Sequence, residues 1–355
     1  MLKIKIPEIE KHRNETTFRP YLQVQKYFND ISVEFVFGDT NKYDMLWIGQ
    51  ASFSDKKLLL NESVTTGIKY LKQFDGQDFI LFDGQDSASL IGTFDVFKES
   101  SAKIMLKNTM YRNNKRYVAP SPMGRSYWVA DEFDEFVNTN YSIDENHCSR
   151  LNDVYLSGAN WLSTVYPTFL GIPASEKDID VFAMFQFPAR ENFEFGIRTN
   201  TFYTRHRQRC IDELKKLTNL KIVTVESEGY VDRQKYYNLL KRSKIVVAPF
   251  GYGEIAPRDI ESASVGATLI KPLMSHIRTI PDVYVDNETY VPVNWDYRDL
   301  TDKIEMILSC PNLPDNWKPI YHHTNLRDKF LKECTAEKLV TYIHQIISNI
   351  PGYGI

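Results

Sequence analysis

The stretch Ser243–Pro272, SKIVVAPFGYGEIAPRDIESASVGATLIKP, constrains this chain more than any other. Ile245-Val246-Val247-Ala248 is a short apolar run rich in β-branched residues, the pattern of a parallel strand buried on both faces. Pro249 cannot donate to a ladder and ends it, and Gly251-Tyr252-Gly253 makes a turn. A helix is expected from Ala256 or Pro257, because a proline in the first turn loses no intrahelical bond. It should stop at Gly266, with Thr268-Leu269-Ile270 opening the next strand. The unit reads as β-loop-α-β, with a glycine-containing loop feeding a helix N-terminus.

The chemistry of such a unit is anion binding. Amides at a helix start lack intrahelical acceptors, and the dipole there favours phosphate. Arg258 adds a planar, fork-shaped cation. Glu261, three residues on and so on the same face, can accept hydrogen bonds from sugar or ribose hydroxyls.

This segment resembles the nucleotide-sugar-binding segment of GT-B glycosyltransferases, in which a glycine loop, a helix with a donor-contacting Glu and a G-x-P-V/I sequence follow one another. The residues that carry the resemblance are Gly251, Gly253, Glu261, Gly266 and Thr268-Leu269-Ile270-Lys271-Pro272. The Arg258-x-x-Glu261 spacing is closer to exostosin-like transferases than to the large retaining group, whose paired glutamates are spaced more widely than Glu254 and Glu261. The order of elements extends the likeness over most of 178–349.

The resemblance implies an α/β fold class with two Rossmann-like domains facing a central cleft. It implies a C-terminal domain that binds a nucleoside-diphosphate sugar and an N-terminal domain that binds a glycan or other hydroxyl acceptor. Donor-binding residues would then be Gly251, Tyr252, Gly253, Glu254, Ile255, Ala256 and Pro257 in the loop, with Arg258 and Glu261 behind it. By the same resemblance Arg190, Arg198 and Arg205 compete for the diphosphate, and Tyr230 stands in a loop where relatives meet the nucleobase.

At 355 residues the chain is long enough for two domains with separate cores. We expect residues 1–175 to form the acceptor domain, 176–334 the donor domain, and 335–355 a last helix that packs back toward the first domain. The boundary is set at Thr168–Lys177, TFLGIPASEK, whose Gly, Pro and Ser precede a new strand at Ile179–Phe185. A net charge of −3 argues against a general nucleic-acid binder. The four cysteines are scattered without C-x-x-C or metal spacing and read as reduced thiols of a cytoplasmic protein. No signal-peptide core or membrane-spanning run is visible, which leaves room only for a peripheral membrane contact.

In the first half, strands are expected at Leu2–Ile6, Ser32–Phe37, Met45–Ile48, Phe79–Phe82 and Lys103–Leu106, with a helix over Ser63–Lys72. Ligands of open α/β sheets sit beyond the carboxyl ends of the strands, which selects Gly49, Gln50 and Ser52, and then Asp83 and Asp86, for acceptor binding. Asp83 or Asp86 would be the base that takes the acceptor proton, with His147 as a third candidate; turn and cap chemistry is the other reading of the two aspartates. Residues 108–128 are polar and basic and read as a loop over the cleft.

In the second half, helices are expected at Thr201–Leu217, Asp232–Arg242, Arg298–Leu308 and Thr335–Asn349. No metal or cofactor is expected beyond the donor substrate. The chain has no Asp-x-Asp motif in a donor-loop context, and adjacent His322 and His323 point apart. A sugar-nucleotide epimerase of the same fold and a non-catalytic nucleotide-sugar-binding scaffold are the alternatives to a transferase.

Overall fold

Parallel pairing organises both halves of the chain. The computed structural model describes residues 1–7, 15–37, 42–53, 58–124, 140–158, 176–187, 193–194, 197–198, 200–309 and 325–354. The first sheet is built from β1 (Leu2–Lys5), β2 (Val33–Val36), β3 (Met45–Gly49), β4 (Phe79–Asp83), β5 (Ile104–Lys107) and, after a short β6 (Met110–Tyr111), β7 (Val154–Leu156). The second contains β8 (Ile179–Ala183), β9 (Ile222–Thr224), β10 (Ser243–Val247), β11 (Thr268–Pro272) and, after β12 (Ile277–Arg278), β13 (Val291–Val293). Their orders are β2-β1-β3-β4-β5-β7 and β9-β8-β10-β11-β13. Every ladder in the two sheets is parallel.

Each order runs outward from its first strand in both directions, the doubly wound pattern with its switch point between first and third strand. The fold class expected from the sequence, α/β with two Rossmann-like sheets, is the one adopted. The expected boundary beside residue 175 falls next to 159–175, which lie outside the described residues.

The helices follow from apolar periodicity. Among the described residues those of six residues or more are α1 (Glu15–Gln23), α2 (Gln25–Asp30), α3 (Leu60–Leu71), α4 (Thr93–Lys98), α5 (Asn200–Leu214), α6 (Arg233–Lys241), α7 (Pro257–Ser264), α8 (Leu300–Ser309), α9 (Asn325–Glu333) and α10 (Ala336–Ser348). The period of two along β10 sends Ile245 and Val247 into a core with Ile211 and Leu214 of α5 and Ile304 of α8, while Val246 joins Leu240 of α6 on the other face. Both faces of the second sheet are therefore covered, which is why its strands read as continuous apolar runs.

Seven of the elements numbered here were not expected: α1, α2, α4, α9, β6, β7 and β12. α1 carries Pro20 inside it, which hides a helical pattern that Phe18 and Tyr21 nonetheless keep by burying together. β7 and α4 are too short for periodicity to register. Part of the expected loop at 108–128 is also ordered: β6 pairs antiparallel with β12, Tyr111 opposite Ile277, and so ties the two halves together. Arg112 adds an ion pair to Asp282 across the same junction. The chain's end lies on the first half, where Tyr342 donates to the Leu156 carbonyl at 2.9 Å and Tyr353 to the Asp44 carbonyl at 2.8 Å.

Candidate functional site

A cleft of about 490 Å³ opens at the carboxyl ends of β8, β9 and β10, where a doubly wound sheet leaves space between its diverging connections. β8 runs out into Phe185 and Gln186, β9 leads to Tyr230, and α7 brings Pro257, Arg258 and Glu261 to the rim. α5 and α6 close the sides with Arg207 and Tyr236. Tyr230 is 70% exposed, unusual for so large an apolar ring and open to stacking from the cleft.

Two guanidinium groups flank one ring. The Arg207 and Arg258 guanidinium carbons each lie 6.0 Å from the centroid of Phe185, at the outer limit of a cation–π contact. Arg207 donates to the Gln186 carbonyl. Among the described residues the Nε of Arg258 is shielded from solvent and has no hydrogen-bond partner. Glu261 is held in place from α6: its Oε2 accepts from Tyr236 at 2.7 Å and its Oε1 from Tyr237 at 3.3 Å. Burial pushes the Tyr236 hydroxyl well above its ordinary pKa, so it remains a donor to the carboxylate, while Arg258 pulls the other way. Arg258 and Glu261 share one face because they stand three apart in a helix.

The helix start itself is less exposed to a ligand than its sequence suggests. Asp259 Oδ2 accepts from the Ala256 amide at 3.3 Å, a carboxylate cap that offsets the dipole. The same oxygen accepts from Lys271 Nζ at 2.6 Å and Tyr284 at 2.7 Å. Lys271 and Asp259 are both buried, and desolvation lowers the lysine pKa against the pull of its partner. The positive charge facing the cleft is thus carried by arginines.

Beneath this wall His206 is buried against Tyr297, its Nε2 2.7 Å from the phenol oxygen. Burial and the neighbouring Arg207 and Arg209 depress its pKa to about 3, so it is neutral near pH 7.

Of the residues singled out by sequence, Tyr230, Tyr252, Pro257, Arg258 and Glu261 line the cleft together. Gly251 sits against Arg207, whose Nη2 would lie 2.8 Å from any Cβ there. Ile255 and Ala256 are half-buried in the approach to α7. Arg205 is exposed on α5 and outside the cleft lining, whereas Arg207, two residues and so about 200° further round the helix, is part of it. Arg190 and the side chain of Arg198 lie outside the described residues, as do His322 and His323.

Glu254 lies outside the cleft lining. It is 1% exposed, and its Oε2 accepts from the Ala88 amide of the first half at 3.1 Å, away from the cleft. Gly253 lies against Asp86, whose carbonyl oxygen would be 2.0 Å from a Cβ, so only glycine permits this approach.

The two aspartates separate. Asp83 is fully buried, its Oδ2 accepting from Lys107 Nζ at 3.0 Å and its Oδ1 from the Gln85 amide at 2.9 Å. A carboxylate so enclosed does not reach an acceptor hydroxyl. Asp86 is exposed beside the glycine loop. Gly49 ends β3, and Gln50 and Ser52 are buried in the short helical turn that follows, outside the cleft lining. His147 lies in the 3-10 segment Glu145–Asp153, also outside that lining.

Arg207, Phe185 and Tyr236 are among the lining residues that sequence did not single out. Arg207 was visible as one of several basic residues on α5, and no local signal chooses among them. Among the described residues no three His, Cys, Asp or Glu side chains group as a metal site, and no helix is long and apolar enough to cross a membrane.

No protein-family model matches the chain. No curated protein matches it. Solved structures resemble it distantly. One is an α-glucosyltransferase bound to UDP and a 13-mer DNA with a central A:G mismatch, at 9% identity over 98% of this chain and 100% of that one, with a TM-score of 0.43. Another is the UDP-GlcNAc 2-epimerase of Methanocaldococcus jannaschii with UDP-GlcNAc and UDP, at 10% identity over 96% and 99%, TM-score 0.40. A third is the glycosyltransferase of kitacinnamycin, at 8% identity over 99% of both chains, TM-score 0.41. Likenesses this distant carry no weight for the site, and the fold of this chain rests on its own strand order and register.

Proposed function

We propose that the chain is a glycosyltransferase that takes a nucleoside-diphosphate sugar into the cleft of the second sheet and moves the sugar to a hydroxyl of a glycan. The observation that carries the reading is the pairing, at one switch point, of two guanidiniums with a carboxylate fixed by two tyrosines. Arginine forks suit phosphate oxygens, and an ionised Glu that only accepts hydrogen bonds suits ribose or sugar hydroxyls. A nucleotide sugar carries both groups a few ångströms apart.

In this reading Arg207 and Arg258 hold the diphosphate, Glu261 the hydroxyls, and Tyr230 the base. As the bond from the anomeric carbon to the phosphate oxygen breaks, the electron pair leaves with the diphosphate, and the arginines stabilise that charge. These cations supply locally what a metal supplies elsewhere. Asp86 takes the acceptor proton as the acceptor oxygen bonds to the anomeric carbon. The first domain, residues 1–175, presents the acceptor; residues 176–334 hold the donor. The exostosin-like spacing of Arg258 and Glu261 and a cytoplasmic setting belong to the same reading.

Thermal stabilisation by UDP, GDP, ADP and CMP and their sugars tests it. A ligand at a hundred times its Kd stabilises the native state by about 2.7 kcal/mol. One nucleoside diphosphate should raise the Tm of the wild type and leave Arg258→Ala unmoved. If none raises it at millimolar concentration, the donor site does not exist and the reading is wrong.

A further inference from the structure

We infer that Glu254 is a positioning residue that fastens the loop Ser87–Ile91 of the first half to the donor loop of the second, and so sets where Asp86 stands over a bound donor. The inference rests on the donor reading above. Its starting point is a carboxylate in an unexpected place. Glu254 is 1% exposed and spends one oxygen on the amide of Ala88, 166 residues away in sequence. Burying a carboxyl group is costly unless its bonds are good, and apolar packing would join two surfaces at lower cost. What a carboxyl oxygen adds is a directed bond to one amide.

Both ends of that bond are anchored to functional elements. On the donor side, the Glu254 carbonyl accepts from Lys271 Nζ at 2.7 Å, and Lys271 pairs with Asp259 of α7, the helix that carries Arg258 and Glu261. On the acceptor side, the Ala88 carbonyl accepts from the Tyr117 hydroxyl at 3.1 Å, and Tyr117 in turn accepts from the Tyr111 amide in β6 at 2.9 Å. Ser89 Oγ donates to the Met123 carbonyl at 2.8 Å and holds the loop from its other side. Between the anchors, Gly253 and Asp86 touch backbone to side-chain position with no room for a Cβ. Asp86 therefore stands at a distance from the donor loop that Glu254 fixes.

Hydrogen exchange over Ser87–Ile91 tests this in the wild type, Glu254→Ala and Glu254→Gln, with and without whichever of UDP, GDP or ADP raises the wild-type Tm. In Glu254→Ala we expect exchange at Ala88 and its neighbours to rise by about tenfold or more, while β10 stays protected. Glu254→Gln, whose amide oxygen still accepts, should recover part of that protection. Nucleotide affinity should stay within about threefold of wild type in both, because the carboxylate does not face the cleft. Bound nucleotide should slow exchange over Ser87–Ile91 in the wild type and fail to do so in Glu254→Ala. In a transfer assay kcat should fall while the donor KM holds.

Unchanged exchange over Ser87–Ile91 in Glu254→Ala would overturn the inference. So would a loss of nucleotide affinity as large as that of Arg258→Ala, which would make Glu254 a donor contact. Should Glu254→Ala not fold, Glu254→Gln and Gly253→Ala carry the same test, the latter driving a methyl into the Asp86 carbonyl. If no nucleotide binds the wild type, the donor reading fails by itself, and exchange in the ligand-free protein still decides whether Glu254 holds the loop.

Discussion

At the carboxyl end of the first sheet, Asp83 on β4 and Lys107 on β5 face each other at 3.0 Å with neither side chain exposed. The aromatic residues on that sheet pack on each other, Tyr21 and Trp47 at 4.9 Å between centroids, Phe28 and Phe35 at 5.1 Å. The second sheet has the same order of its first five strands and a different use for the same residue types. It buries a comparable pair, Lys271 with Asp259, but leaves Arg207 and Arg258 around Phe185 at the rim of a cleft. One topology thus carries a buried ion pair at the carboxyl end of the first sheet and, in the second, a buried pair together with two arginines at the rim of a cleft. Fold places a site, and the pairing of its charges decides whether anything binds there.

The largest effect is expected from opening the buried Asp83–Lys107 pair. Lys107→Ala leaves a buried carboxylate uncompensated and should destabilise by about 3–5 kcal/mol in denaturant unfolding, with nucleotide binding at the other sheet intact in the folded fraction. Asp83→Leu combined with Lys107→Met should cost little or stabilise, as expected when a buried pair gives way to packing. A Lys107→Ala protein as stable as wild type would mean that the pair reaches water.

Next in size is loss of a charge facing the cleft. Arg258→Ala and Arg207→Ala should each cost about 1.5–3 kcal/mol of nucleotide binding, roughly ten- to hundredfold in Kd by calorimetry, with little change in Tm without ligand. The reverse pattern, lower Tm and unchanged Kd, would make them structural.

Acid should act on the second half through His206. Its folded pKa of about 3 lies below the ordinary 6.5, so between these values the unfolded chain binds the extra proton. The contribution is present above pH 6.5 and is lost as pH falls toward 3, amounting to about 2 kcal/mol at pH 5. Unfolding of His206→Phe across pH 5–7 should lack that part of the slope; an identical slope would show that His206 does not titrate in this way. The smallest effect belongs to Tyr236→Phe, which removes one bond to Glu261 and should weaken nucleotide binding by about 1 kcal/mol. A change of that size in Tm but not in Kd would separate Glu261 from the ligand.

The sequence by itself determined what depends on spacing along one element. The run at 245–248, the proline at the start of α7 and Gly266, which takes a φ of 59° to turn back into β11, were enough to place a β-loop-α-β unit. Arg258 and Glu261 were legible as partners because the helical repeat alone puts them on one face. Only the tertiary structure decided which charges were already spent. Asp83 and Asp86 look equivalent in sequence, yet Asp83 is buried against Lys107, 24 residues on, while Asp86 lies at the surface. Glu254 reads as a donor ligand until Ala88, 166 residues away, is found to hold it. Arg207 stands out from Arg205 only when α5 is seen against the sheet. Local periodicity fixes which way a side chain points from its own element, whereas its partner comes from a distant strand or loop that no spacing within that element encodes.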